Sequence, residues 1–188
     1  MIGLWIILGI AALILIWAIA TYNRFIILKT RAEEAWADID VQLKRRYDLI
    51  PNIIETVKGY AAHEKGVLEE VTKARTAAMA AEQSGDPARA AQAENALSGT
   101  LKTLFAVAEN YPDLKANANF LELQRELSDT ENKIQSARRF YNTNVRDFNI
   151  KTKTFPSTVI AHLFHFDKQE FFTLADAPQE RENISVRF

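Results

Sequence analysis

The pattern begins with a run that has no polar face. Ile2 to Ala20 contains no charged residue and is built from Ile, Leu, Ala, Trp and two glycines. As a helix it spans about 30 Å, the thickness of a bilayer's hydrocarbon core. A helix apolar on every side cannot be sheltered by a small domain, so the run predicts a transmembrane anchor over residues 1–23. Beyond it the apolar positions fall on helical spacing. Leu28, Ala32, Trp36, Ile39 and Leu43 form one stripe, opposite Glu33, Glu34, Asp38, Asp40 and Lys44. This predicts an amphipathic helix from Phe25 to about Tyr47.

Pro51 then interrupts the pattern. A proline inside a helix removes a backbone donor and crowds the carbonyl four residues back, at about 3 kcal/mol. Two structures fit: one long helix kinked between Tyr47 and Asn52, or a reversal with Pro51 opening the next helix. Reversal gives segments of similar length and is the expectation. A second helix is then predicted from Pro51 to about Gln83, with Ile54, Val57, Ala61, Leu68, Val71, Ala74 and Ala78 inward. Ser84-Gly85-Asp86-Pro87 marks the clearest turn: Gly for a left-handed helix end, Asp as the next N-cap, Pro in the first turn. A third helix over Ala88–Asn110 presents Leu97, Leu101, Leu104 and Ala108, and Tyr111-Pro112-Asp113 ends it. In a fourth, from about Asn119 to Lys151, Phe120, Leu127, Ile134, Tyr141 and Phe148 recur every seven residues. Leu123, Thr130, Ala137 and Asn144 interleave, so the seam suits a coiled-coil-like bundle core with tight or paired polar spots.

The expected fold is all-α: the N-terminal transmembrane helix followed by an antiparallel up-and-down four-helix bundle over residues 24–166. A short helix from Ser157 to Phe164 follows Phe155-Pro156. The tail, residues 167–188, is expected to lie on the bundle, because Phe171, Phe172, Ile184, Val186 and Phe188 suit packing better than a free segment.

Composition adds constraints. The chain has 188 residues, with 23 basic and 24 acidic side chains and no Cys. Near-neutral charge gives no field for nucleic acid. Lack of Cys removes disulfides, thiolate nucleophiles and cysteine metal sites. The N-terminal run lacks the basic n-region of a cleaved signal peptide, although Ala18-Ile19-Ala20 resembles a cleavage site, and Trp5, Trp17 and Tyr22 suit aromatic belts. Arg24, Lys29 and Arg31 follow the run and nothing basic precedes it. The positive-inside rule therefore predicts a single-pass cell-membrane protein with a short outer N-terminus and a cytoplasmic domain.

Candidate chemistry is sparse. His162, His165 and Asp167 lie close, but no third nitrogen ligand is near, and partly buried aromatic packing is the expectation. His63-Glu64 lacks the second His of a zinc-protease helix, and the six glycines form no phosphate-binding loop. No cofactor and no catalytic residue is expected. A polar set remains: Arg46 on the apolar stripe between Leu43 and Ile50, Glu131 and Arg138 flanking Ile134, and Asp48, Asn132 and Asn142 near in register. Charges on a buried face must be paired. The set predicts a buried network that fixes helix register, with an internal ligand or ion pocket as the alternative.

Longer motifs make a specific match. Ala35-Trp36-Ala37-Asp38-Ile39-Asp40-Val41-Gln42-Leu43-Lys44-Arg45-Arg46-Tyr47-Asp48-Leu49-Ile50-Pro51-Asn52, then Glu55-Thr56-Val57-Lys58-Gly59-Tyr60, closely resembles the LemA family. So do His63-Glu64, Tyr111-Pro112-Asp113-Leu114-Lys115-Ala116, Asn119-Phe120, Glu131-Asn132-Lys133-Ile134, Ala137-Arg138-Arg139-Phe140-Tyr141-Asn142 and Phe155-Pro156. The resemblance implies a bacterial membrane protein with one N-terminal span and a four-helix bundle, its motif turn drawn from Asp48, Pro51, Asn52, Tyr111 and Pro112. It supplies no enzymatic activity. It suggests association with membrane proteases or with the building of intracellular membrane compartments. The functional expectation is a membrane-anchored scaffold or adaptor, held by the bilayer through residues 2–20, that self-associates or binds other membrane proteins.

Overall fold

The computed structural model describes residues 1–173; Ile184, Val186 and Phe188 lie outside them. Every regular element among the described residues is a helix: α1 Ile2–Tyr60, α2 Lys65–Gln83, α3 Pro87–Ala108, α4 Pro112–Lys115, α5 Ala118–Lys153 and α6 Ser157–Leu163. Two compact units are formed, and α1 and α5 contribute to both.

The expected reversal at Pro51 does not occur. α1 runs unbroken for 59 residues with Pro51 inside it. Asp48, Pro51 and Asn52 are therefore exposed helix positions, not turn residues. The chain turns later, at Ala61–Glu64, where Glu64 N–H donates to the Ala61 carbonyl at 3.0 Å. The physical reason is tertiary. Tyr111 OH donates to Glu64 Oε1 at 3.0 Å, and Asn117 Nδ2 donates to the Tyr60 hydroxyl at 3.0 Å. Residues some fifty positions away thus hold a turn for which Ala61-Ala62, good helix formers, give no local signal. Tyr111 and Pro112 do lie at a turn, opening α4.

The first unit comprises residues 1–38 and 138–171. Its core is Phe25, Leu28, Phe148, Ile160 and Ala161, with Ala18, Tyr22 and Phe166 packed against it. Phe25 meets Phe148 edge-on at 5.9 Å and stacks on Phe166 at 4.7 Å. One turn-set further along, Trp36 meets Tyr141 at 5.4 Å. Rising position on α1 thus pairs with falling position on α5, and here the two helices run antiparallel. Asn149 holds the chain beyond α6 reciprocally: its Nδ2 donates to the Gln169 carbonyl and its Oδ1 accepts from the Gln169 N–H, both at 2.9 Å. Tyr141 OH donates to the Glu170 carbonyl at 2.9 Å. Burial and the nearby Glu170 charge push the Tyr141 phenol up to about 12. Within the apolar run of α1, the most hydrophobic window has no buried residue.

The second unit takes residues 39–137, with Phe172 buried in the structure. Ile39, Leu43, Ile50, Ile53 and Val57 of α1, Val71 and Ala78 of α2, and Leu97 and Leu104 of α3 are wholly buried. Removing such side chains from water contributes about 1.5–3 kcal/mol for each large aliphatic group. The α2–α3 turn has the chemistry its sequence predicts. Gly85 adopts φ +68°, and Asp86 caps α3 by accepting from Ala88 N–H at 2.9 Å and Arg89 N–H at 3.2 Å.

Candidate functional site

The polar centre of the second unit is built around Arg46. Its place on α1's apolar stripe points the side chain inward, where 3 % of it is exposed. Nη1 donates to Glu94 Oε2 on α3 at 3.0 Å and lies 3.1 Å from Glu131 Oε2 on α5. Nη2 donates to Ser98 Oγ at 2.7 Å. Tyr47, the next residue, donates its hydroxyl to the other Glu94 oxygen, Oε1, at 2.5 Å. Glu94 is as buried as Arg46, whereas the Glu131 side chain is 35 % exposed. Two acceptors engaged on one carboxylate, and a guanidinium forked across α3 and α5, satisfy charges that would otherwise cost several kcal/mol each, of order 3–5. Burial, then the Glu94 charge, raise the Tyr47 phenol far above the ordinary tyrosine range, so it stays a donor.

A second strand of the site explains how α1 passes through its proline. Arg75 of α2 donates from Nε to the Tyr47 backbone carbonyl at 2.8 Å. Tyr47 stands four residues before Pro51, so its carbonyl is the one that Pro51, with no N–H, leaves without a helical donor. At the rim, Glu82 of α2 hydrogen-bonds Asp40 of α1. Burial first, then that hydrogen bond and the charges of Asp40 and Glu94, push the Glu82 carboxyl up to about 7.

The sequence-predicted set divides. Arg46 and Glu131 meet. Asp48 and Asn132 are exposed, a correction to their expected burial: a helical step of about 100° per residue carries Asp48 two positions off the Arg46 face and puts Asn132 beside, not on, the Ile134 seam. Asn132 instead edges an open groove with Gln124, Arg125, Ser128 and Asp129. Arg138 and Asn142 are half-buried residues of the first unit. Glu94, Ser98, Tyr47 and Arg75 complete the centre and lie outside the sequence-predicted set. Glu94 had a signal, since stepping back from Leu101 and Leu97 by helical spacing lands on it.

The arrangement neutralises a buried cation with two carboxylates, and its donors and acceptors face one another. Two polar atoms stand apart: Arg46 Nε and Gln42 Oε1 are buried with no hydrogen-bond partner among the described residues. His162 and His165 are exposed, and no group of three or more His, Asp or Glu side chains that could hold a metal ion occurs among the described residues.

Comparison with known proteins decides the family. The model of the LemA family matches residues 35–188, from the amphipathic part of α1 onward. The chain belongs to the LemA family. Among curated relatives, this LemA-family chain is 22 % identical to magnetosome protein MamQ 1 of Paramagnetospirillum magneticum over 80 % of its own length and 64 % of the relative's. The same figures hold for magnetosome protein MamQ of Magnetospirillum gryphiswaldense. It is 29 % identical to protein LemA of Metamycoplasma hominis over 63 % of this chain and 53 % of that one. The chain thus spans between half and two thirds of the length of the curated relatives it matches. The match includes Arg46, Tyr47, Arg75, Glu94 and Glu131, so the polar centre lies within the family region. The apolar helix and the family together point to a membrane location.

Proposed function

We propose that this protein is a membrane-anchored helical scaffold that holds other membrane proteins, or further copies of itself, at the bilayer, with no catalytic activity of its own. The observation that carries the reading is the apolar run of α1, which continues without a break into a helix of the folded chain while its most hydrophobic window holds no buried residue. A span that runs on into a helix of the folded chain tethers that chain at the bilayer, which is what a scaffold needs. Residues 39–60, 65–83, 87–108 and 118–137 make up an antiparallel four-helix bundle in this reading. The basic residues after the run, Arg24, Lys29 and Arg31, favour a cytoplasmic domain and an outer N-terminus. The association with membrane proteases that the family resemblance suggests makes integral membrane proteins the first partners to seek.

The test is extraction of native membranes with alkaline carbonate, followed by affinity purification of the detergent-solubilised chain. Retention in the pellet and co-purification of integral membrane proteins or a second copy are expected. Release by carbonate contradicts the anchor, and a strictly monomeric, partner-free chain contradicts the scaffold.

A second reading, an internal ligand or ion site, draws on Arg46 Nε and Gln42 Oε1, a buried donor and acceptor one turn apart. Ligand binding to the folded state alone raises the melting temperature by mass action, so a thermal-shift screen over ions, lipids and metabolites separates the two readings. A saturable rise abolished by Gln42→Leu favours the site; a flat screen favours the scaffold.

A further inference from the structure

We propose that α6 and the corner leading into it form a second membrane contact, with Phe155, Val159, Leu163 and Phe164 seated at the headgroup–acyl boundary of the bilayer that α1 crosses. The proposal rests on the membrane-spanning reading of residues 2–20.

Three observations converge within the first unit. The first is exposure. Phe155, Val159, Leu163 and Phe164 are 79, 54, 66 and 49 % exposed, while the opposite side of α6 buries Ser157, Ile160 and Ala161. Val159 and Leu163 stand one helical turn apart on the outer face. Single exposed apolar residues are ordinary, but four large ones within ten positions make a patch that marks a binding surface. The second is height. The Phe164 ring lies 4.7 Å from that of Tyr22, and Tyr22 is two residues past the end of the apolar run, about 3 Å along the axis. Ala18, inside the run, packs against the cluster that contains Ile160 and Ala161. A span of about 30 Å therefore brings α6 to the level where hydrocarbon gives way to headgroups, the level aromatic side chains favour. The third is charge. On the segments beside α6 in this unit, Arg24, Arg146, Lys151, Lys153 and Lys168 stand against Asp147, Asp167 and Glu170. Basic side chains beside an apolar face suit anionic headgroups. Lys151 already holds its ammonium 5.7 Å from the centre of the Phe25 ring.

The chain has no Cys, so single-cysteine variants of the full-length protein can carry a nitroxide label at chosen positions. The variants are Val159→Cys, Leu163→Cys, Ile10→Cys within the apolar run and Glu34→Cys on the exposed side of α1. Each is reconstituted in phosphatidylethanolamine–phosphatidylglycerol vesicles, and label depth is read from collision with oxygen against a water-soluble nickel chelate. Labels at 159 and 163 are expected about 5–10 Å below the phosphates, with 10 deep in the hydrocarbon and 34 in water. If 10 is deep while 159 and 163 collide with nickel as freely as 34, the second contact is overturned and the span stands. If 10 itself is in water, both fall. Labels at 159 and 163 that are shielded from nickel and oxygen alike, with spin–spin broadening that grows with protein density, assign the patch to a second copy and also overturn the proposal.

Discussion

Arg75 serves Tyr47 as a substitute backbone donor. Its Nε lies 2.8 Å from the carbonyl that Pro51 leaves unpaired in α1. This bond between helices supports the unbroken course of α1 through a residue that normally ends a helix, and it joins α2 to the centre of the domain.

The bond can be tested against the proline itself. Arg75→Met in the native background is expected to cost about 1.5–3 kcal/mol, the range for a hydrogen bond made by a charged group. In a Pro51→Ala background, residue 51 regains its N–H, and the same substitution is expected to cost less than about 0.5 kcal/mol. Denaturant midpoints of the four proteins give the coupling. Equal costs in both backgrounds would show that Arg75 acts through something other than the proline gap.

The polar centre makes a larger prediction. Arg46→Met strands Glu94 and is expected to destabilise the fold by about 3–5 kcal/mol. Glu94→Gln keeps acceptor and shape but removes the charge, and pairing Arg46→Met with Glu94→Met should recover part of the loss. Tyr47→Phe removes one donor to Glu94 and is expected to cost about 1–3 kcal/mol. Urea unfolding checks the order. An Arg46→Met loss near that of an exposed lysine substitution would mean that the pairing does not hold the register.

Glu82 gives the fold a pH dependence. Its carboxyl is pushed up to about 7 in the folded chain, against about 4.3 for an unfolded glutamate. Between these values the folded state keeps a proton that the unfolded state has released, so this group's contribution falls as pH rises through the window and levels off above it. The melting temperature of Glu82→Gln minus that of the native chain is therefore expected to grow from pH 4.5 to 7 and then stay constant. A constant difference throughout would remove the Asp40–Glu82 proton from the account.

At the other unit, Asn149→Asp exchanges an amide donor for a carboxylate facing the Gln169 carbonyl. Faster hydrogen exchange at the Gln169 amide is expected, with the exchange of α3 unchanged. Unaltered protection at Gln169 would show that Phe166 packing alone holds that segment.

Periodicity made much of this architecture legible. Phe120, Leu127, Ile134, Tyr141 and Phe148, spaced by seven, are all buried, because a regular helix presents such positions to one side and the core must cover them. Thr130 and Asn144, the polar members of the interleaved row, are buried with their side chains bonded to the carbonyls four residues back, of Glu126 and Phe140. Asp86 shows the same for capping, a purely local chemistry. What the sequence hid depends on partners distant along the chain. Pro51 reads as a break until Arg75 is seen beside Tyr47, and Ala61–Glu64 reads as helix until Tyr111 and Asn117 are seen to hold it. At the site, Arg46 and Glu131 were legible as charges on apolar stripes. Asp48 and Asn132 are near Arg46 and Glu131 in sequence but exposed, because nearness along a helix does not give a shared face. Glu94 continues the Leu97–Leu101 stripe one turn towards the start of α3, where its charge hides it from an apolar pattern.

The central claim is that this chain holds other proteins at a membrane. Crosslinking with mass spectrometry in native membranes tests it most directly, since it samples neighbours before any solubilisation. Reproducible crosslinks from lysines of the helical domain to other integral membrane proteins, or to a second copy, are the predicted result. A map containing only links within one copy, from a chain that sediments with the membrane, would contradict the account.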